Sequence, residues 1–113
     1  MNEESDINKT INEMIANKQI GEDNREAMRF CLLLCRYGWK DKKSIKSMVG
    51  VDEKTFEKWW RNLRNNGYFA DEGRIDIGDF KDDDELSLNI VMMCLVAEGY
   101  VIRINKEDMK CEI

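Results

Sequence analysis

The chain has no histidine, no proline and only seven glycines in 113 residues. Without histidine, the commonest general base and the commonest metal ligand are both missing. With no proline and few glycines, little in the sequence breaks a helix. Long hydrophobic runs are missing too: the longest, Ile90–Ala97, is far too short to span a bilayer. The polar, acidic start Met1–Asp6 lacks the basic and apolar regions of a secretory signal, which points to a cytoplasmic protein with no membrane contact. There is no glycine-rich phosphate loop and no nucleophile elbow, so the expectation is a non-enzyme without cofactor.

The four cysteines, Cys31, Cys35, Cys94 and Cys111, are expected as thiols in a reducing compartment. Cys31 and Cys35 fall inside an apolar helix and read as small buried hydrophobes. Their spacing is not that of paired CxxC knuckles, so no metal is expected. The carboxylate-rich stretch Asp76–Glu85 fails as a calcium loop. Neither Gly73 nor Gly78 has aspartate five residues before it, as an EF-hand loop requires, which leaves a solvated loop and helix cap.

What the chain does have is enough apolar content, 42%, for one core and one domain over residues 1–113. Ile7, Ile11, Met14 and Ile15 make one apolar stripe on a helix over Asp6–Gln19, stopped by Gly21. That helix either packs on the core or serves as an arm (residues 1–21) that forms a homodimer. A second helix from Asp23 to about Arg36 is apolar nearly all round and should be central. Asp41 caps a short helix Lys42–Val49, Gly50 marks a turn, and Asp52 caps a helix Glu53–Asn65. Two extended pieces follow, Tyr68–Ala70 and Arg74–Ile77, with Asp71-Glu72-Gly73 as the hairpin turn between them. The acidic run Asp82–Glu85 opens a helix to Glu98 that also reads as buried. Beyond it, Tyr100–Ile104 and Met109–Ile113 pattern as a second hairpin, completing a C-terminal unit over residues 82–113.

Within this series, Lys42 to Arg61 has the layout of a helix-turn-helix. Ile45 and Val49 lie on the first helix, Gly50 and Val51 in the turn, and Phe56 and Trp59 on the second helix. Lys46 stands where a small residue is usual. With the preceding helix and the hairpin after it, residues 23–77 resemble the winged helix-turn-helix DNA-binding superfamily. The fold class expected is therefore mainly α with small β-hairpins: a winged-helix-like domain with an extra N-terminal helix and a C-terminal helix plus hairpin. The resemblance implies duplex DNA as partner, with the Glu53–Asn65 helix in the major groove.

Charge is distributed accordingly. Residues 36–64 hold nine basic and four acidic side chains, so this segment is +5 while the rest of a −5 chain is −10. Lys54, Lys58 and Arg61 recur at i, i+4 and i+7, with Thr55, Asn62 and Asn65 beside them as base readers. Lys42 and Lys43, together with Lys40, are placed to meet phosphates. Asp52 and Glu53, and the hairpin's Asp71 and Glu72, oppose such contact. The competing reading is an acidic adaptor or inhibitor that binds a protein partner, with Tyr37, Trp39, Trp59 and Trp60 as anchors.

Overall fold

A computed structural model describes residues 3–103. The element order is α1 (Glu3–Ala16), a 3-10 turn (Glu22–Asn24), α2 (Arg25–Tyr37), α3 (Lys42–Val49), α4 (Glu53–Asn65), a second 3-10 turn (Asp71–Gly73) and α5 (Asp83–Glu98). α2 is the hub, packed against α1, α3 and α5, while α4 lies along α5. Its inward residues Ala27, Met28, Phe30, Cys31, Leu33 and Leu34 are buried. Phe30 meets Phe56 edge-on and Trp59 at a tilt, each ring centroid 5.5 Å away. This aromatic cluster joins α2 to α4 at the centre of the fold.

The N-terminal stripe belongs to the same core. Ile7, Ile11 and Met14 are buried in it, so the apolar face of α1 is consumed within the chain. Of the two roles expected for this helix, packing on the core is the one observed, and it covers the stripe that a homodimer arm would use. α1 also stops earlier than expected. Lys18 takes a left-handed φ of 61°, and Gln19 N–H donates to the Met14 carbonyl at 2.9 Å, closing the helix before Gly21 is reached.

The β-hairpins do not form, and the expected fold class is corrected to helices alone: no strand occurs among the described residues. In the first region a single antiparallel bridge, Phe69 to Ile75, is all that remains. The reason lies in where the backbone groups are spent. A ladder needs the Tyr68 N–H to donate to Asp76, but it donates instead to Leu63 (3.1 Å), finishing α4. A ladder also needs the Ala70 carbonyl to accept from Arg74, but it accepts from the Trp39 indole N–H (2.7 Å). The segment is a loop pinned by aromatic contacts, with Phe69 stacked on Trp39 and edge-on to Trp60. In the second region, residues 100–103 are not a strand either, and Met109–Ile113 lies outside the described residues.

Two glycines allow this packing. Gly38 follows α2 with φ 80° and ψ −175°, and a Cβ there would sit 2.2 Å from the Gly73 carbonyl oxygen. That close approach lets Trp39 N–H donate to the same oxygen at 2.9 Å, holding the 71–73 turn against the end of α2. Gly50 occupies the left-handed region (φ 70°) between α3 and α4, as the turn demands.

The α5 helix is less buried than its composition suggests. Met93, Cys94, Val96 and Ala97 face the core, but Leu88 and Met92 are exposed. Cys35, expected in the core beside Cys31, is exposed as a residue, but desolvation of its sulfur, which lies 3.9 Å from the Met93 sulfur, pushes the thiol up to about 11. No helix of the described residues is long and apolar enough to cross a membrane.

Candidate nucleic-acid interface

The helix pair at residues 42–65 is built from local signals. Asp41 accepts from the Ser44 N–H (3.2 Å) and the Ser44 hydroxyl (2.7 Å), and Asp52 accepts likewise from Thr55 (3.2 and 2.6 Å). Each carboxylate satisfies donors that the first helical turn leaves open. These bonds hold both carboxyl groups below their ordinary value. The sign of the resulting pH dependence follows. A lowered folded-state value contributes stability above the unfolded value and loses it as pH falls through the folded one. Thermal stability should therefore begin to drop near pH 4 and keep dropping below it. The double variant Asp41→Asn, Asp52→Asn keeps a neutral capping oxygen, so it should show a shallower acid limb in melts recorded from neutral to acid pH. An unchanged limb would show that the caps do not contribute to it. Both caps are solvent-exposed, so the difference should shrink with added salt.

Two ion pairs bridge the α3–α4 seam. Lys42 Nζ meets Glu57 Oε1 at 2.9 Å and lies 5.2 Å from the centre of the Trp60 ring. One turn on, Lys46 pairs with Glu53 and rides over the Phe56 ring at 5.9 Å. The Lys42 hydrogen bond holds the Glu57 carboxyl below its ordinary value. Lys46 thus has a role at a position where a small residue was expected. Its ammonium pairs with Glu53 and lies over the Phe56 ring.

The same contacts answer the objection raised by the acidic start of α4. Asp52 is occupied as a cap and Glu53 as the partner of Lys46, so neither carboxylate is left unpaired at that end.

On α4, Phe56, Trp59, Trp60 and Leu63 are buried, and Lys54, Lys58, Arg61 and Asn65 are exposed on the opposite side. Lys54, Thr55, Glu57, Lys58 and Arg61 line one open depression of about 390 Å³. Lys54, Lys58 and Arg61 make no salt bridge among the described residues, in contrast to Lys42 and Lys46. Lys43 is exposed in the first turn of α3. Thr55 is half-buried, with its hydroxyl donated to Asp52. Asn62 points elsewhere: its amide donates to the Ala97 carbonyl at 2.7 Å and stitches α4 to α5. The structure therefore brings Lys54, Lys58, Arg61 and Asn65 together, and engages Lys42 and Asn62 in holding the helices.

The aromatic side chains named for an adaptor are mostly unavailable. Trp59 and Trp60 are buried and Trp39 is stacked on Phe69, which leaves Tyr37 exposed.

One residue at the margin of this unit went unsuspected. The Arg103 backbone N–H donates to Asn66 Oδ1 (3.1 Å) and its guanidinium donates to the Gly67 carbonyl (3.0 Å). The guanidinium also lies 4.1 Å from the centre of the Tyr68 ring and 3.6 Å from Asp76. It closes the C-terminal end of α4 and the base of the 68–76 loop at once. Burial pushes the Tyr68 phenol up to about 12 even though Arg103 draws it down. Nothing in the sequence around residue 103 signals this, because all its partners are distant in the chain.

No protein-family model matches the sequence, and comparison with curated proteins and with solved structures yields no match.

Proposed function

We propose that the chain is a small DNA-binding protein, a transcriptional regulator or a replication or mobile-element accessory factor, acting through the outer face of α4. One observation carries this reading. Of the cations on the helix pair, those facing neighbouring elements are paired with carboxylates, while Lys54, Lys58 and Arg61 share one exposed face without such partners. Unpaired cations on the convex side of a helix are what a polyphosphate backbone requires. At a rise of about 1.5 Å per residue, the three span roughly 10 Å along the helix, comparable with the width of the major groove. Asn65 is exposed on the same face, with an amide suited to a base edge. The Asp52 cap and the Lys46–Glu53 pair limit the repulsion of phosphate at the helix start.

The test is a salt titration of binding to mixed-sequence duplex DNA, followed by fluorescence anisotropy. Three phosphate contacts predict that the logarithm of the affinity falls with the logarithm of salt at a slope of about −2.7. No binding at low salt, or a slope near zero, overturns the reading. The adaptor alternative predicts a protein partner that stays bound at high salt.

A further inference from the structure

The outer side of α5 is apolar and uncovered. Leu88 is 62% exposed and Met92 43%, with the half-buried Leu95 on the same side. Past Gly99 the ridge continues into Tyr100 and Ile102, which are 70% and 78% exposed. The ridge carries no charged side chain of its own, but its two ends differ in sign. Exposed Asp82, Asp83 and Asp84 stand at the start of α5. At the other end stands Lys58, whose Cε lies 3.9 Å from where a Cβ on Gly99 would be.

We propose that this ridge is a self-association surface, on which a second copy of the chain packs antiparallel about a twofold axis near Met92. In that arrangement residues equidistant from Met92 meet. Asp84 of one copy faces Tyr100 of the other, and Lys58 stands beside it. Each acidic end therefore meets a cationic end, and the helix dipoles oppose. A parallel pairing would place the acidic ends together. An anionic lipid surface or a phosphate backbone as occupant is disfavoured by the same three aspartates. The proposal does not rest on the DNA reading: its core, Leu88 and Met92, lies on α5, and Lys58 is the one residue the two surfaces share, so DNA binding is read on the Leu88→Asp, Met92→Asp variant, which keeps Lys58.

The test is the solution mass of the full chain by sedimentation over a wide concentration range, with a reversible dimer expected. Leu88→Asp with Met92→Asp should raise the dimer dissociation constant about a hundredfold or more while keeping the helical far-ultraviolet dichroism of the parent, and should remove any dependence of the melting temperature on protein concentration. Lys58→Glu should weaken the dimer about tenfold, and adding Asp84→Lys should restore it. A chain that stays monomeric throughout overturns the proposal and assigns the ridge to residues 104–113 or to another protein. A dimer indifferent to Leu88 and Met92 overturns it also, as does a Lys58→Glu defect that Asp84→Lys cannot repair. DNA binding by the monomeric variant is read separately, so loss of one property is not mistaken for loss of the other.

Discussion

Replacing Lys54, Lys58 and Arg61 together with alanine is expected to lower affinity for duplex DNA roughly a hundredfold at low salt, and to flatten its salt dependence. The reasoning is electrostatic. Each cation that meets a phosphate displaces about one condensed counterion, and the three removed here share the outer face of α4 and make no salt bridge among the described residues. The fold should not suffer. All three side chains are exposed, none bridges to a neighbouring element, and alanine is a good helix former. Far-ultraviolet dichroism and melting temperature should match the parent. Lys42→Ala with Lys46→Ala makes the control. It removes as many charges from the same unit less one, but takes them from the α3–α4 seam, so its main effect should be on stability and only its minor effect on DNA. If the triple variant binds as the parent does, α4 is not the DNA-facing helix.

The second large effect lies in the core. Phe30→Ala is expected to cost about 3–5 kcal/mol, read by urea or thermal denaturation. Phe30 is fully buried and touches both Phe56 and Trp59, so the deletion leaves a cavity at the junction of α2 and α4. A domain of this size has a total stability of only about 5–15 kcal/mol, so the melting temperature should fall by at least about 12 °C. Phe30→Leu fills most of the space, loses the ring contacts and should cost less than half as much. A loss below about 1 kcal/mol for the alanine variant would mean that the aromatic cluster is not what holds α4 on α2.

Helix bounds were legible in the sequence where a carboxylate cap or a turn glycine sets them. α3 and α4 have the expected bounds because Asp41, Gly50 and Asp52 act on backbone groups within one turn. The strands were misjudged because alternation at Tyr68–Ala70 and Arg74–Ile77 describes side chains, whereas a ladder depends on where N–H and carbonyl groups find partners. The Tyr68 N–H is taken by Leu63, which closes α4, and the Ala70 carbonyl by the Trp39 indole, far away in the chain.

The candidate site was read with similar limits. The spacing of Lys54, Lys58 and Arg61 against Phe56, Trp59 and Leu63 was enough to place them on opposite sides. That Lys42 would be tied to Glu57, or Asn62 to Ala97, depends on how α3 and α5 are laid against α4, which no single-helix pattern contains. An all-apolar helix such as α5 likewise hides which of its sides remains open. Composition states how much can be covered, and only the packing partner decides where.

The clasp formed by Arg103 has a consequence for biosynthesis. A chain emerging from the ribosome in N-to-C order has released α1 to α5 before this side chain is free to swing onto Tyr68. Until then the phenol ring lacks its cationic cover, and the Gly67 carbonyl lacks its guanidinium donor. The helices can assemble during translation, but the final locking of α4 and its following loop must wait for the last stretch of the described chain to leave the tunnel.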